Sequence, residues 1–173
     1  MQPAKITVRT NTQKCTPEEL KDRLSQEGVT VEAIAGISYA FALSGFDYLA
    51  GLGSFQDGWF YVQDISSMTV AHAADPKKGD YIIDVCAAPG GKSSHLAELL
   101  AGSGMVEARD LTEYKVGLIE ENILRHDLHN MKAVQQDATL FDEASVEKAD
   151  ILICDLPCSG LGVIGRKSDI RYK

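Results

Sequence analysis

The chain opens with short stretches in which apolar and polar residues alternate. Ile6–Thr10 has this pattern, which predicts a strand with one face in water. Val29–Ile34 and Ala40–Leu43 predict two further short strands. A helix between the first two strands completes a predicted β-α-β-β unit over about residues 4–60.

Two helices in this half of the chain are marked by their first residues. Thr16 precedes Pro17 and two glutamates, a pattern typical of an N-cap, a first-turn proline and acids at the positive end of the helix dipole. Gly28 predicts the end of that helix. Asp64 predicts the cap of a second helix, which Pro76 stops. The apolar residues of this second helix that we expect in the core are Ile65, Met68 and Val70.

From about residue 79 the pattern changes to apolar strands that alternate with helices. Such alternation predicts an α/β fold with a parallel, Rossmann-like sheet. Apolar positions at helical spacing predict helices over His95–Leu100 and Glu113–Leu128. The predicted strands of the sheet are Tyr81–Ile83, Gly104–Arg109, Lys132–Gln135 and Ile151–Cys154.

The composition is that of a folded protein, because 45% of the 173 residues are apolar. No run of about 18 apolar residues and no basic-then-apolar leader is present, so we expect a soluble, cytoplasmic protein. The four cysteines are irregularly spaced and have no histidine pair nearby. Their pattern predicts reduced thiols and neither a metal centre nor a disulfide framework.

The net charge of −8 is unevenly distributed. Residues 1–28 carry +1, residues 29–163 carry −12 and residues 164–173 carry +3. A basic end on an acidic body is compatible with RNA contact through one face. A solvated charged end explains the same distribution.

The stretch Asp84–Ser94 joins the first apolar strand to the next helix and is rich in small residues. A Walker phosphate loop is excluded, because Gly91–Ser93 fits its end but Cys86 stands where the opening glycine is required. The dinucleotide fingerprint is excluded because Gly90 and Gly91 are adjacent. The stretch is then either a loop for another nucleoside cofactor, with N–H groups free at the helix N-terminus, or a simple connection.

Acidic residues stand at or near the ends of all four predicted strands: Asp84, Asp110, Asp137 and Asp155. Since ligands of open α/β sheets bind at the carboxyl ends of the strands, we expect these acids to converge on one site. A carboxylate can accept both hydroxyl protons of a ribose or an amino proton of adenine. For Asp137 alone, helix capping is the alternative.

A second motif follows the fourth strand, where Pro157 and Cys158 begin a run of small residues. A cysteine in such a rigid turn suits a thiol that must meet a substrate closely. A thiolate that adds to C6 of cytosine makes C5 nucleophilic enough to accept a methyl group. A small structural cysteine is the alternative for Cys158.

These two motifs together resemble one family. Asp84–Lys92 and Asp155–Gly160 are similar to motifs of the RNA cytosine-C5 methyltransferases, with the bacterial Sun/Fmu type the nearest branch. Phe60–Ser67 and Asn122–Arg125 also match that family. The resemblance implies a small α+β RRM-like RNA-binding subdomain over residues 1–62. It implies part of a Rossmann-like methyltransferase domain over residues 63–173.

The same resemblance implies S-adenosylmethionine as the cofactor and small-subunit ribosomal RNA as the partner. Asp110 would hold the ribose, Asp137 the adenine, and Asp155 would lie between cofactor and target base. Cys158 matches the family cysteine that assists product release. The loop residues implied to wrap the cofactor are Cys86, Ala87, Ala88, Pro89, Gly90, Gly91 and Lys92.

The attacking cysteine of the family belongs to a Thr-Cys motif on a later strand, which these residues do not include. We therefore expect a fragment of an enzyme that is inactive alone. Its fourth strand is expected to form an exposed apolar edge that can pair with another chain. A tRNA cytosine-C5 methyltransferase and a non-catalytic RNA-binding module are the alternatives.

Overall fold

The computed structural model describes residues 5–156, which form two four-stranded sheets with helices. No helix in this range is long and apolar enough to cross a membrane. The elements are β1 (Ile6–Thr10), α1 (Pro17–Gln26), β2 (Thr30–Ile34), β3 (Ile37–Ser44), α2 (Gly53–Gln56), β4 (Phe60–Val62), α3 (Ile65–Ala74), β5 (Tyr81–Asp84), α4 (Gly91–Leu99), β6 (Met105–Asp110), α5 (Glu113–His126), β7 (Met131–Gln135) and β8 (Ile151–Ile153).

The first sheet has the strand order β2-β3-β1-β4, and every neighbouring pair is antiparallel. The predicted strands are confirmed, and β4 adds a fourth that pairs with β1 through Val8 opposite Val62. Helix α1 has a complete capping box, because Thr16 accepts from the backbone N–H of Glu19 and Glu19 accepts from that of Thr16. The assignment of residues 1–62 to an RRM-like subdomain stays a prediction.

The second sheet has the order β7-β6-β5-β8, and its strands are all parallel. The predicted parallel α/β sheet is therefore confirmed. Its strands β5, β6 and β8 run in the same direction, so Asp84, Asp110 and Cys154 mark the same edge. This edge faces the loop that opens α4.

Each sheet has its own hydrophobic core. Val8, Leu24 and Phe60, all with no exposed surface, are central to the first core. Ile82 and Leu96 occupy the second core together with residues of β6 and α5. At about 25 cal/mol for each Å² of apolar surface, this burial stabilises both units.

Two predictions about the helices are wrong. Ile65, expected in the core, is 42% exposed, whereas Met68 on the same helix is fully buried. Helix α4 begins at Gly91 rather than at His95, so the small residues of the loop form its first turn. Gly90 caps that turn without a side-chain hydrogen bond, which removes the signal on which a sequence-based start depends.

Candidate functional site

A cavity of about 470 Å³ lies between β1 of the first sheet and the carboxyl edge of the second. This volume is within the range of small-molecule sites. The loop after β5 supplies much of the wall. The lining residues from that loop and from the start of α4 are Cys86, Ala87, Ala88, Pro89, Gly91 and Lys92.

Asp84, at the end of β5, holds this loop by hydrogen bonds from its buried side. Its side chain is buried and accepts hydrogen bonds from Ser93 Oγ at 2.6 Å and from the Cys86 N–H at 3.4 Å. Burial raises the pKa of Asp84 above its usual range, against the opposing effect of these two donors. The carboxylate thus ties the end of β5 to the first turn of α4.

Gly90 turns the chain into α4 with a φ of 102°, a conformation that side chains rarely adopt. A Cβ atom there would meet Met131 Cε at 3.5 Å and Ile119 Cγ2 at 3.7 Å. A Cβ atom on the next residue, Gly91, would meet nothing within 4 Å. The absence of a side chain on Gly91, which lines the cavity, leaves the helix N-terminus accessible from it, with the first N–H groups free of helical partners.

Asp110, at the end of β6, supports the loop from the side. Its Oδ2 accepts from the Ala88 N–H at 3.1 Å, and its Oδ1 accepts from the Leu111 N–H at 2.8 Å. Lys115 Nζ lies 3.0 Å from Oδ1. Burial alone would raise the pKa of Asp110, but Lys115 and the two amides hold it below its usual range. Asp110 is therefore an ionised acceptor beside the loop.

Lys92 and Asp155, which both line the cavity, form an ion pair with Nζ 2.6 Å from Oδ2. Asp64, the N-cap of α3, stands on the side of the first sheet and accepts from Ser66 and Ser67. Those hydrogen bonds, with that from Ser66 the largest cause, lower the pKa of Asp64. The pair and the cap thus contribute carboxyl oxygen atoms to the lining of the cavity from both sheets.

Asp137 lies outside the larger cavity. It does not line the cavity that holds Asp84 and Asp155; it borders a smaller one of about 70 Å³, beside Val85 and Leu140. Its Oδ1 accepts from the backbone N–H of Thr139 at 2.9 Å, so it closes a local turn. Of the four acids expected to converge, the structure brings Asp84 and Asp155 together, places Asp110 behind the loop and leaves Asp137 at a neighbouring hollow.

The charges of the larger cavity fit a zwitterionic nucleoside cofactor with an additional positive centre. Among residues 5–156, three carboxyl groups and two ammonium groups line it, which gives a formal net charge of −1. The helix N-terminus offers N–H groups to a carboxylate, and the acids can accept from an ammonium group or from hydroxyls. The residues present therefore fit S-adenosylmethionine. The charged lining residues are Lys5, Asp64, Asp84, Lys92 and Asp155.

Reasoning from the sequence missed the wall that the first sheet contributes. Lys5, Thr7 and Gln63 line the cavity although they precede the Rossmann-like sheet in the chain. Asp64 was recognised only as a helix cap. The signal that could have found this wall is the segment Phe60–Ser67, which matches the same family as the loop.

The thiols of the candidate site differ in position. Cys86 lines the cavity, and burial is the largest cause that raises its pKa, followed by the charges of Asp110 and Asp84. Cys86 therefore lacks the thiolate character of a nucleophile. Cys158, expected to assist product release, lies outside the described residues, as does Pro157.

Comparisons with known proteins agree with the architecture. The model of the family described as 16S rRNA methyltransferase RsmB/F matches residues 71–173. A similar protein, the probable ribosomal RNA small subunit methyltransferase B of Bacillus subtilis, is 43% identical over 171 residues, which are 98% of this chain and 38% of that protein. The tRNA (cytosine(72)-C(5))-methyltransferase of Pyrococcus horikoshii is 40% identical over 76% of this chain and 34% of its own length.

A solved structure, a methyltransferase homolog protein from Pyrococcus horikoshii, superimposes with a TM-score of 0.81 at 30% identity and covers 99% of this chain and 56% of its own. The chain spans less than two fifths of the Bacillus subtilis relative, since it covers 38% of that protein. The family model covers more than half of the chain, from residue 71 to residue 173. The chain belongs to the 16S rRNA methyltransferase RsmB/F family.

Proposed function

We propose that the protein containing this chain methylates C5 of a cytosine in small-subunit ribosomal RNA, with S-adenosylmethionine as the methyl donor. The observation that carries the proposal is the acid-lined cavity at the carboxyl edge of the parallel sheet, whose loop from Cys86 to Lys92 lies within the residues that the family model matches. The relative from Bacillus subtilis is named for activity on small-subunit ribosomal RNA. The cytoplasm is the location that we propose for this enzyme.

In this proposal the loop from Cys86 to Lys92 wraps the cofactor. Asp110 accepts from the ribose hydroxyls, which requires Lys115 to turn away from the carboxylate and the loop to uncover it, since the side chain of Asp110 is 3% exposed. Asp137 accepts from the adenine amino group at the smaller hollow. The cofactor supplies an electrophilic methyl group, and the chain's own residues orient it toward Asp155.

Asp155 then stands between the cofactor and the target base. Its pairing with Lys92 fixes the carboxylate at the mouth of the cavity. Cys158, three residues on, assists release of the methylated base. Residues 1–62 supply the RNA-contacting unit, a role that is supported by the contribution of Lys5, Thr7 and Val62 to the wall of the cavity.

The activity is tested with the full-length protein and unmodified small-subunit RNA. Radioactive methyl groups from S-adenosylmethionine are expected at C5 of cytosine, as identified by nuclease digestion and mass spectrometry. Label recovered only at other atoms contradicts the proposal. The inactivity of these 173 residues alone stays a prediction, and methyl transfer by the purified chain would overturn it.

Cofactor binding is tested separately by calorimetry with S-adenosylhomocysteine. Asp110→Ala is expected to weaken binding at least ten-fold, because a charge-assisted hydrogen bond contributes about 1.5–3 kcal/mol. Asp127→Ala, which removes an acid that is 67% exposed, is the control and should bind as the unaltered protein does. Absence of heat from the unaltered protein favours the alternative of a non-catalytic RNA-binding module.

A tRNA cytosine is the second candidate substrate, because a relative 40% identical to this chain is named as a tRNA methyltransferase. Competition between unmodified transfer RNA and small-subunit RNA in one reaction separates the two. Preferential labelling of transfer RNA would replace the ribosomal proposal. The cofactor assignment would be unaffected by that result.

A further inference from the structure

Arg9, on β1, is a fully buried charge at the contact between the two sheets. Its Nη1 lies 2.6 Å from Oε2 of Glu98 on α4, and its guanidinium stacks 4.1 Å from the ring centre of Tyr61. A buried ion pair rarely increases stability over a well-packed apolar contact of the same size. Stability alone therefore does not account for the polar groups around Arg9, and we examine a functional role for them.

Two hydrogen-bond partners of Arg9, Gln63 and Ser94, also form hydrogen bonds with Gly91. Arg9 Nε donates to Gln63 Oε1 at 2.7 Å, and Arg9 Nη2 lies 3.3 Å from Ser94 Oγ. Gln63 Nε2 in turn donates to the carbonyl oxygen of Gly91 at 3.3 Å. Ser94 Oγ donates to the same carbonyl at 3.1 Å. A continuous polar chain thus runs from the centre of the first sheet to Gly91.

Gly91 is the first residue of α4 and lines the larger cavity. Its carbonyl is held from the first sheet by Gln63, whose backbone N–H donates to Thr7 O at 3.1 Å. The backbone of Gln63 is thus hydrogen-bonded to β1, and its side-chain amide is hydrogen-bonded to the first residue of α4. The orientation of the N–H groups of the first turn depends on where this carbonyl is held.

We propose that Gln63 is a positioning residue for the cofactor, and that through it the first sheet sets the geometry of the first turn of α4. This inference rests on the proposed function, namely use of the cofactor at this cavity. Gln63 suits the task because its amide accepts from Arg9 with the oxygen and donates to Gly91 with the nitrogen. No charged side chain offers both.

Gln63→Glu separates these two contacts. The carboxylate keeps an acceptor for Arg9 and nearly the same shape, but it opposes the Gly91 carbonyl with an oxygen instead of a donor. The first turn of α4 is then expected to shift. Arg9, which remains a partner, favours the ionised form of the new side chain.

Asn130→Asp is a closely matched control. Asn130 is 6% exposed, as is Gln63, and its Nδ2 donates at 2.8 Å to the carbonyl of Ala97 on the same helix. The variant makes the same exchange of amide for carboxylate, but beyond the first turn of α4. It therefore measures how much the replacement of a buried amide by a carboxylate lowers stability, without changing the contacts of the loop.

Calorimetry with S-adenosylhomocysteine is the readout, with urea unfolding of each variant measured in parallel. Gln63→Glu should weaken binding about ten-fold, which corresponds to the loss of one hydrogen bond, while Asn130→Asp binds as the unaltered protein does. Equal affinities for all three proteins, or equal weakening in both variants, overturn the inference and leave the proposed function standing. An unaltered protein that gives no heat overturns both.

Hydrogen exchange of the unaltered protein tests the proposal even where a variant does not fold. Bound S-adenosylhomocysteine should slow hydrogen exchange of the backbone N–H of Gln63 with solvent. This N–H donates to Thr7 O in the first sheet. Exchange at this amide that is the same with and without the ligand overturns the inference.

Discussion

His95 and His126 are buried histidines on the two helices that meet the first sheet. His126 stacks on Tyr61 with 3.6 Å between ring centres and lies 3.2 Å from the carbonyl of Phe60. His95 packs edge-on against Tyr39 at 5.6 Å, and within residues 5–156 its Nδ1 has no hydrogen-bond partner. Burial, the largest cause in both, lowers the pKa of each to about 3.

The neutral state of these two histidines makes stability depend on pH. In the unfolded chain each takes up a proton near pH 6.5, but in the folded protein it does so only near pH 3. The unfolded state thus binds more protons between these values, so the free energy of unfolding falls as pH falls through that window. The slope between about pH 6 and 4 is about 1.4 kcal/mol per pH unit for each histidine.

We expect His95→Phe to reduce the slope of the free energy of unfolding against pH. The change removes one titrating group and one unpartnered buried nitrogen, so stability at pH 7 should change little and stability at pH 5 should rise. Urea unfolding at both values measures the difference. His129→Gln, at a side chain that is 87% exposed, is measured in parallel as the control for replacing a histidine. An unchanged slope in His95→Phe contradicts the assignment.

At the scale of elements, the C-terminal end of α5 is held by the first sheet's unit. Asn11 Nδ2 donates to the carbonyl of His126 at 3.2 Å, and Lys14 Nζ donates to that of Arg125 at 2.9 Å. These donors satisfy carbonyls that a helix end leaves unpaired. Gly58, in the turn before β4, completes this contact because its backbone approaches Arg125 closely.

Gly58→Ala should weaken this contact. A Cβ atom on Gly58 would stand 2.0 Å from the carbonyl oxygen of Arg125, so β4 or α5 must move. Gly28→Ala is the control, because Gly28 also has a positive φ, 81° against 68°, but has open space around it. Both variants carry about 1–2 kcal/mol of backbone strain, and overpacking adds about 1–3 kcal/mol to Gly58→Ala alone. Equal free energies of unfolding for the two variants would refute the close approach.

Elements with local signals were predictable from the sequence, and those without were not. Thr16 and Pro17 fixed the start of α1 because the cap is made within four residues. The start of α4 was missed because Gly90 caps it through its backbone conformation alone. Ile65 was assigned to the core by its residue type, but the first turn of α3 stands at the surface.

For the whole molecule, the sequence predicted the two sheets but not how they meet. The acids at the strand ends follow from chain order, because parallel strands bring their carboxyl ends to one edge. Arg9 and Glu98 are 89 positions apart, and nothing in the pattern of either segment indicates the partner. Gln63 lies in Phe60–Ser67, a segment whose family match was a signal for the site, but the contact that brings this segment to the cavity appears only in the structure.

The edge of the second sheet gives the last prediction. Among the described strands β8 has one neighbour, β5, and Leu152 in its middle is 58% exposed. A strand that has a free backbone edge and presents an apolar side chain can pair with the same strand of another molecule. We therefore expect these 173 residues to self-associate, as measured by sedimentation velocity over a range of concentrations.

Leu152→Lys should suppress that association. A lysine on an edge strand opposes pairing of two identical strands, because the same positive charge of the partner would lie close to it. Leu124→Lys, at a position that is 80% exposed on α5, adds the same charge away from the edge and is the matched control. Association that persists equally in both variants would place the contact elsewhere, and a monomeric unaltered chain at every concentration would show that β8 does not pair. Suppression by Leu152→Lys alone would assign the contact to β8, the strand that leads directly into Asp155 and so into the candidate site.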